Sequence, residues 1–419
     1  MNIDKLNRVE VHQVGINHEF YPILDDLSFK CKNLYNYANY INRQEFIKNG
    51  KWIRCGELDK ILNKGQVDYK ALPCRCAQQV LRLLDNNWRI FFKTSKDWSR
   101  YPQKYQGRPK MPKYKSKNGR GIVVFASKRD LNYRLKDGII SFPKMFNKMR
   151  LKTKVDNVQQ VRVIPMGKSY KLEVRYCVRP IEPKPFNYRI CAIDLGLENF
   201  ATLTNNVGLK PAVIKGGILK SINQYYNKVL AEKKSTLKKQ NGKDWCNELD
   251  RFARKRNNKI SDFMHKASRQ VIVYCLKNDI STLVVGHNKE WKQNINIGHK
   301  NNQKFVSIPF SNFIQKLEYK CQDVGINFIQ TEESYTSKAS YLDMDELPKE
   351  HIEGLETDFS GKRIKRGLYR SKNGTLINAD VNGSYNIGRK VFPKEFNSDG
   401  VVGVGLHPVR LNCLTKNIR

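Results

Sequence analysis

The sequence lacks paired cysteines and long apolar runs. Its 10 Cys residues are scattered singly apart from Cys74 and Cys76, no CxxC pair occurs, and the seven His residues form no cluster with metal-ligand spacing. A disulfide framework is therefore not expected, and a reducing environment is indicated. No stretch is long and apolar enough to cross a bilayer. The N-terminal residues lack a basic region followed by an apolar one, so we predict no signal peptide and a location inside the cell.

Acidic residues are scarce relative to basic ones. The chain of 419 residues has 77 Lys and Arg against 39 Asp and Glu, a formal net charge of +38. Such a charge opposes compaction unless a polyanion neutralises it, and each phosphate contact adds salt-dependent affinity. Nucleic acid is the expected partner; a ribosomal-type protein, or a charge that serves solubility alone, is the alternative. Since 40% of the residues are hydrophobic, we expect a sizeable core and two or three domains.

The first half of the chain combines strand and helix patterns. Residues 7–14 alternate as a strand does, residues 16–98 have helical spacing, and residues 122–178 contain short β-branched runs separated by turn residues. This order predicts a small β-barrel with a helical insertion. Residues 93–121 combine Pro, Gly, basic and aromatic residues, which predicts an extended strip along a phosphate backbone with aromatics stacked on bases, or else a solvated linker. The predicted contact residues of the strip are Lys104, Arg108, Lys110, Lys113, Tyr114 and Lys115.

Strands and helices alternate in the second half, which places it in the α/β class. After the Pro-bearing linker PIEPKPF, residues 188–206 predict a strand, a tight turn and a second strand, and residues 215–278 are mostly helical and strongly basic. We predict that these basic helices line a nucleic-acid channel; a solvated exposed face is the alternative. The predicted contact residues are Lys233, Lys234, Lys238, Lys239, Arg251, Arg254, Lys255 and Arg256.

Two acidic residues occupy positions that binding of a polyanion does not explain. Asp194 ends an apolar strand just before glycines, where a charged carboxylate is costly unless it is paired or binds a metal. Asp380 lies in the small-residue segment NADVNGSYNIG, near the start of a predicted helix. Asp194 could instead be a turn residue, and Asp380 an N-cap. With a third carboxylate, the pair would hold two Mg²⁺ ions, or Mn²⁺, for an in-line displacement at phosphorus.

These two segments resemble motifs of the TnpB family, the transposon-encoded relatives of type V CRISPR effectors. AIDLGLENFATLTNN is similar to the family's first RuvC motif, and NADVNGSYNIG to its third. Further similar segments, in the family's order along nearly the whole chain, are NLYNYANYINRQ, ALPCRCAQQVLR, GRPKMPKYK, FMHKASRQVIVYC, TEESYTSKAS and GKRIKRGLY. The resemblance implies a guide RNA and cleavage of double-stranded DNA beside a short target-adjacent motif.

The resemblance also implies a multi-domain fold of the α/β and β classes. The implied domains are a wedge β-barrel, oligonucleotide-binding-like, at 1–15 and 99–183, a helical recognition lobe at 16–98, an RNase H-like (RuvC) nuclease at 184–334 and 377–395, a degenerate zinc-ribbon insertion at 335–376, and a C-terminal tail at 396–419.

The chain departs from the family at the middle catalytic glutamate. The family places this Glu at the end of the strand after the long helices, where STLVVGHNKEW has Gly286. Glu332 and Glu333 end the next predicted strand, and adjacent strands lie only about 4.8 Å apart, so a Glu there could reach the same metal. We predict that Glu333 or Glu332 replaces the missing catalytic glutamate, and Glu290 is the next candidate. Because successive side chains of a strand point to opposite faces, only one of the two glutamates can be the metal ligand. The periodicity of the sequence does not say which.

A second departure concerns the family's zinc ribbon. Its four Cys positions align with Ser340, Asp343, Arg370 and Asn373; none is Cys, and Ser, Arg and Asn are poor zinc ligands. No zinc is expected, so this segment must be held by its own packing or by nucleic acid. The predicted nucleic-acid contacts of the segment are Lys362, Arg363, Lys365 and Arg366.

The function predicted is that of an RNA-guided, metal-dependent endodeoxyribonuclease, with Asp194, Asp380 and one glutamate as catalytic metal ligands. The missing Glu at position 286 makes a nuclease-dead, repressor-like RNA-guided binder the main alternative. A transposase that joins strands itself and a structural RNA-binding protein are further alternatives. The sequence leaves open whether the protein is a monomer or a homodimer, and whether it is transposon-encoded or CRISPR-associated.

Overall fold

The structure is a computed structural model that describes residues 6–126, 131–134, 138–143, 146, 149–288, 307–350, 352, 357–397 and 405–412. The chain forms two compact units, which separate between Arg179 and Pro180. Within the described ranges, every helix is too short or too polar to span a bilayer. Glu290 lies outside the described residues.

The first unit places its helices between its first and second strands. In chain order its elements are β1 (Leu6–Gly15), α1 (Tyr21–Asn49), α2 (Cys55–Leu62), α3 (Val67–Lys70), α4 (Cys74–Arg100), a 3₁₀ turn (Pro102–Lys104), β2 (Val123–Phe125), β3 (Asn132–Arg134), β4 (Ile139–Ser141), β5 (Arg150–Lys152), β6 (Val158–Pro165) and β7 (Ser169–Val178). The strands form two antiparallel sheets, of order β1-β7-β6-β2 and β3-β4-β5. Closure of these strands into a barrel stays a prediction.

Helices α1 and α4 are joined through an aromatic contact. The buried residues of α4 recur every three or four positions, as an amphipathic helix requires. Trp88 of α4 is fully buried, and its ring packs edge-on against Phe46 of α1 with 5.4 Å between centroids. The Trp88 indole N–H also donates to Asn39 Oδ1 at 3.1 Å, which satisfies the one polar atom that the ring takes into the core.

The chain from residue 93 to residue 100 continues α4. The prediction of an extended strip is therefore wrong for this stretch. It contains neither Pro nor Gly to stop a helix, whereas Pro102 lacks the N–H that a further helical turn needs.

The rest of the basic strip is anchored on α1. Asn36 bonds both backbone groups of Lys115, donating to its carbonyl at 2.9 Å and accepting from its N–H at 2.8 Å. Asn39 donates to the carbonyl of Pro112 at 3.0 Å. Because these backbone groups are paired with side chains of a helix, the strip is anchored at Pro112 and Lys115 and is not a free linker at these two residues.

The second unit has the predicted α/β class. In chain order its elements are β8 (Ile190–Leu195), β9 (Asn199–Asn205), β10 (Ala212–Lys215), α5 (Gly217–Asn241), α6 (Asn247–Lys277), β11 (Thr282–Gly286), α7 (Phe310–Gln322), β12 (Asn327–Thr331), β13 (Lys362–Lys365), β14 (Leu368–Arg370), β15 (Leu376–Asn378), α8 (Ala379–Val391) and β16 (Val409–Arg410). The main sheet has the order β12-β11-β8-β9-β10-β16, and β13, β14 and β15 form a small antiparallel sheet. Strand β9 runs antiparallel to both β8 and β10, whereas β11 runs parallel to both β8 and β12.

Alternation along β8 decides which residues face which helices. Cys191 and Ile193 belong to the core formed with α5, α6 and α7, whereas Ile190 and Ala192 pack with residues of α8 on the other face of the sheet. Since successive side chains of a strand point to opposite faces, Asp194 lies on the α8 face.

The neighbouring strands β11 and β12 follow the same rule. Val284 of β11 packs with α8, and Ile329 of β12 packs against the same cluster. Gly286 is two residues after Val284 and therefore also faces α8. The sheet thus gathers the ends of β8, β11 and β12 beneath one helix.

We expect Trp88→Ala to lower the free energy of unfolding by about 3–5 kcal/mol, because it removes a fully buried ring and leaves a cavity. Ile90→Ala, on the same helix at a side chain that is 54% exposed, is the matched control and should change it by less than about 0.5 kcal/mol. Urea unfolding of the full chain, followed by circular dichroism, measures both. Equal losses in the two variants would contradict this packing.

Candidate active site

Asp194 lies in β8 and faces the first turns of α8. A Cβ on Gly383 would stand 3.3 Å from Asp194 Oδ2, closer than ordinary contact, so the glycine lets the helix approach the carboxylate. Burial raises the pKa of Asp194 well above its usual range, the carboxylates of Glu333 and Asp380 raise it further, and Arg363 opposes the shift. Because Asp194 is part of the strand, the alternative of a turn residue is wrong.

Asp380 lies in the first turn of α8 and is not its N-cap. The N-cap is Asn378, whose Oδ1 accepts from the N–H groups of Asp380 and Val381 at 3.0 and 3.3 Å. The N-cap interpretation of Asp380 is therefore wrong, and its side chain is left for other contacts. Asp380 Oδ2 accepts from Asn199 Nδ2 at 2.7 Å, and Arg363 Nη2 lies 3.8 Å from Oδ1.

Asn199 fixes the orientation of Asp380. It is the buried first residue of β9, and its Oδ1 accepts a hydrogen bond from Lys215 Nζ at 2.7 Å. Since a lysine can only donate, this contact sets which end of the amide is oxygen and turns the NH₂ group toward Asp380. Asn199 is not among the site residues predicted from the sequence; its position five residues after Asp194, on the paired strand, was the available signal.

Glu333 lies in the turn that follows β12. Its N–H donates to Asn288 Oδ1 at 2.8 Å, and its carbonyl accepts from the Thr336 hydroxyl at 2.7 Å. Its side-chain Oε2, by contrast, is buried and has no hydrogen-bond partner. Burial raises the pKa of Glu333 to about 7, with a further rise from Glu332 and an opposing effect of Lys390. An ionised oxygen in this position is costly unless a cation accompanies it.

Gly286, where the family has its glutamate, leaves no room for a side chain. A Cβ there would lie 2.5 Å from Ile387 Cδ1 and 3.1 Å from Glu333 Oε2. Gly286 is paired with Thr331 in parallel register, so β12 is the neighbour of β11, as predicted. The Glu333 carboxylate therefore reaches the space above Gly286 from the adjacent strand.

Glu332 makes contacts of a different kind. Its Oε2 forms an ion pair with Lys390 Nζ at 2.6 Å, and its Oε1 accepts from the N–H of Ser334 at 2.9 Å. Burial would raise the pKa of Glu332, but the hydrogen bonds from Lys390 and Ser334 outweigh it and leave the pKa lowered. Of the two glutamates that the sequence left open, the geometry favours Glu333 as the one available to a ligand.

The carboxylates of Asp194, Glu333 and Asp380 thus gather on one face of the sheet. Among the described residues, no three acidic, His or Cys side chains already stand as a preformed metal-binding group. The chemistry of these side chains fits a divalent cation. All three offer oxygen donors, their mutual repulsion raises the pKa of Asp194, and one buried oxygen of Glu333 has no hydrogen-bond partner. Such donor sets suit Mg²⁺ or Mn²⁺ rather than softer metals.

The segment aligned with the zinc ribbon is held by carboxylate hydrogen bonds. Asp343 Oδ2 accepts from Ser340 Oγ at 2.5 Å and from the N–H of Lys372 at 2.8 Å, which joins the two turns aligned with the cysteine pairs. Asp345 accepts from the N–H of Ser340 at 2.7 Å and from Ser360 Oγ at 2.5 Å. Where the structure describes the chain, this segment contains no zinc-binding group.

Two buried asparagines of α8 hold the same segment. Asn382 accepts from the N–H of Tyr341 at 2.9 Å and donates to the carbonyl of Ala339 at 2.8 Å. Asn386 donates to the carbonyls of Thr336 and Ala339 at 2.9 and 2.8 Å. These two asparagines of the NADVNGSYNIG segment therefore anchor the chain that follows Glu333.

The predicted nucleic-acid contacts on α5 and α6 differ in exposure. The exposed ones are Lys238, Lys239, Arg251 and Lys255, and the partly buried ones are Lys233, Lys234, Arg254 and Arg256. Lys233 pairs with Glu248 at 2.6 Å, and Arg256 donates from Nη2 to Asn223 Oδ1 at 2.6 Å. Lys233 and Arg256 thus already have protein partners.

The other two groups of predicted contacts are mostly exposed. Those exposed are Lys104, Arg108, Lys110, Lys113 and Tyr114 in the first unit and Lys362, Arg363, Lys365 and Arg366 in the second. Lys115 is partly buried, with its ammonium 4.9 Å from the centre of the Tyr35 ring. The Tyr114 ring has the Arg43 guanidinium 5.1 Å from its centroid, so a base that stacked on it would have to share or displace that cation.

Two family models match the second half of the chain, in order. Residues 173–292 match OrfB_IS605, described as a probable transposase, and residues 310–387 match the Cas12f1-like TNB domain. No curated protein gives a significant match. The two models confirm the resemblance to TnpB-type transposon proteins and compact type V effectors that the motifs indicated.

Similar solved structures have low identity. The Cas12f1-sgRNA-target DNA complex is 15% identical at a TM-score of 0.34, covering 91% of this chain and 98% of the other. A CRISPR-Cas12f ternary complex is 14% identical at 0.34, covering 88% and 81%. The mini-RNA-guided endonuclease CRISPR-Cas_phi3 is 10% identical at 0.41, covering 93% and 92%. TM-scores of this size support no detailed correspondence of the folds.

The carboxylate bonds in the zinc-ribbon segment predict a structure that needs no zinc. Elemental analysis of the purified protein should find no stoichiometric zinc, and chelation should leave the thermal midpoint unchanged. Asp343→Ala should lower that midpoint by several degrees, because it strips partners from Ser340 and Lys372 and costs about 1–3 kcal/mol. The control is Asp358→Ala, an exposed acid of the same segment. One zinc per chain would contradict the prediction.

Proposed function

We propose that this protein is an RNA-guided DNA endonuclease that hydrolyses phosphodiester bonds with divalent cations at a single RuvC-type site. The observation that carries the proposal is the convergence of Asp194, Glu333 and Asp380 on one face of the sheet, with a buried Glu333 oxygen that has no partner. Paired cations beside such carboxylates are the usual solution for in-line displacement at phosphorus.

In this proposal Asp194, Glu333 and Asp380 hold the cations. Two Mg²⁺ ions held there would supply a nucleophilic water at neutral pH and would stabilise the charge on the leaving oxygen. Asn199 holds Asp380 in one rotamer through the 2.7 Å bond to its Oδ2, so that Oδ1 is left for a ligand. Arg363, 3.8 Å from that Oδ1, is placed to meet a phosphate drawn to the site.

The sheet topology supports an RNase H-like nuclease domain. In the order β10-β9-β8-β11-β12, the first three strands are antiparallel and the last two are parallel to β8. This arrangement brings carboxylates from β8 and from the end of β12 beneath α8, which contributes Asp380. The wedge barrel, recognition lobe and degenerate zinc-ribbon insertion are proposed for the ranges given above.

The proposed partners are a guide RNA and a double-stranded DNA target. The excess of 77 basic over 39 acidic residues suits two polyanions, and the match to a Cas12f1-like domain supports guidance by RNA. In such proteins base pairing reads the sequence, while the protein reads backbone shape and a short duplex motif. A cytoplasmic location and a monomeric or homodimeric state belong to the same proposal.

A nuclease-dead RNA-guided binder is the second candidate. Gly286 favours it, because the family's glutamate is missing there. The Glu333 carboxylate counts against it, since Oε2 lies 3.1 Å from where a Cβ of residue 286 would be and thus replaces the lost group in space. A protein without hydrolytic activity gains nothing from burying an unpaired carboxylate oxygen.

Asp194→Ala, Asp380→Ala and Glu333→Gln should each abolish Mg²⁺-dependent cleavage of a plasmid that matches the co-purified RNA. Each change removes a cation ligand, so the loss should reach at least about a thousandfold. RNA binding should be unchanged, as measured by filter retention. Glu332→Gln is the matched control: it keeps a hydrogen-bond acceptor for Lys390 and should retain cleavage.

The outcomes separate the candidates. Full activity in Asp194→Ala or Asp380→Ala would remove that residue from the site. Activity that survives Glu333→Gln and is lost in Glu332→Gln would reverse the assignment of the glutamates. No cleavage by the wild-type protein in either Mg²⁺ or Mn²⁺, together with RNA-dependent DNA binding, would establish the nuclease-dead binder.

Gly286→Ala should lower cleavage at least about tenfold, because the added methyl meets Ile387 and displaces the Glu333 carboxylate. Gly217→Ala, where a new Cβ meets nothing within 4 Å, should leave cleavage unchanged. Initial rates at saturating guide RNA measure both. Equal rates in the two variants would show that the space above Gly286 is not part of the site.

A further inference from the structure

Lys390 is a buried cation outside the set of residues proposed to touch metal or DNA. It lies on α8, the helix that carries Asp380, and its side chain is only 4% exposed. Its ammonium bonds Glu332 Oε2 at 2.6 Å and the carbonyl of Ser334 at 3.2 Å. A lysine gives up much hydration in such a position, so its contacts must be specific to offset the loss.

The two residues that Lys390 contacts lie on either side of Glu333 in the chain. Glu332 is the residue before it and Ser334 the residue after it, so one ammonium group holds both neighbours of the proposed ligand. Glu332 Oε1 accepts from the N–H of Ser334, which ties the same turn a second time. The Glu333 carboxylate itself has no such restraint at Oε2.

Glu333 needs this support because it lies beyond the end of β12. The parallel ladder between β11 and β12 ends at the pair Gly286 and Thr331, so no strand pairing fixes the backbone of residue 333. The carboxylates of Asp194 and Glu333 repel each other, which favours movement of Glu333 toward solvent unless contacts to the turn resist it. A ligand on a turn is less well placed than one on a strand unless surrounding contacts hold it.

We propose that Lys390 is a positioning residue of the active site: by gripping Glu332 and Ser334 it holds the turn after β12 so that the Glu333 carboxylate stays over Gly286. The role follows from the displaced glutamate, since a ligand on β11 itself would be held by the sheet. The inference rests on the proposed function, because it assigns Lys390 a task for a metal ligand.

Binding of Mn²⁺ to the purified full-length protein tests the role without requiring cleavage. Mn²⁺ affinity is measured by electron paramagnetic resonance, with Asp194→Ala marking the level of binding outside the site. Lys390→Met should weaken Mn²⁺ binding about 10- to 100-fold, the usual effect of losing a contact that orients a ligand. Lys394→Met, at an exposed lysine shortly after α8, should bind as the wild type does.

A double-variant cycle distinguishes positioning from general support. If Lys390 acts through Glu332, then Glu332→Ala should weaken Mn²⁺ binding by a similar factor, and the double variant should bind no worse than either single one. Lys390→Arg keeps the charge and should bind Mn²⁺ more tightly than Lys390→Met.

The variants are expected to fold, because Met has nearly the length of Lys and Glu332 is 33% exposed, so its carboxylate can turn to water. Thermal melting of each variant checks this, and the Glu332→Gln/Lys390→Met pair removes both charges if a single change proves unstable. Wild-type affinity in a folded Lys390→Met, or in that double variant, would overturn the role of Lys390. Absence of Mn²⁺ binding in the wild-type protein would instead overturn the proposed function.

Discussion

The repulsion among three carboxylates beneath α8 is the constraint on which the arrangement of the second unit depends. Asp194, Glu333 and Asp380 come from separate parts of the chain. Burial and the carboxylates of Glu333 and Asp380 raise the pKa of Asp194 well above its usual range. Such a cluster persists only where the surrounding structure over-determines it. Here Asn199 holds Asp380, the strand holds Asp194, and the glycine at 383 lets the helix come close.

The proposed relocation of the glutamate to position 333 makes two further demands on the chain. The first is space: any side chain at position 286 would meet Ile387 and the Glu333 carboxylate, so a glutamate placed after β12 requires a glycine at position 286. The second is rigidity, because the turn after β12 has no ladder to hold it. Lys390 and the asparagines of α8 fill this need from the helix that also carries Asp380.

The segment aligned with the zinc ribbon shows a comparable replacement. A zinc ion would join two turns through four ligand bonds, and here the Asp343 carboxylate joins them through hydrogen bonds from Ser340 and Lys372. A carboxylate can accept several hydrogen bonds at once, so it can link turns that share no strand pairing. These bonds are formed by the chain alone, whereas a zinc site would depend on metal supply.

Much of the fold was accessible from the sequence, because it follows from short-range patterns. An apolar run before a tight turn placed the strand that carries Asp194, and helical spacing placed α4, although residues 93–98 were also included in the extended strip. That error came from composition: the basic residues after position 93 resemble the strip that follows, yet no Pro interrupts the helix before Pro102. Anchoring of the strip by Asn36 and Asn39 was not predictable, since it joins residues far apart in the chain.

The sequence by itself determined the class of the second unit and narrowed the third carboxylate to a few glutamates. Only the tertiary structure shows that the two candidates Glu333 and Glu332 have different surroundings, since Glu332 forms an ion pair with a residue 58 positions away. Residue periodicity is a property of neighbours along one strand and stops at the strand end. Beyond that point, the direction of a side chain is decided by which distant groups grip the turn, and a single sequence contains no signal for that.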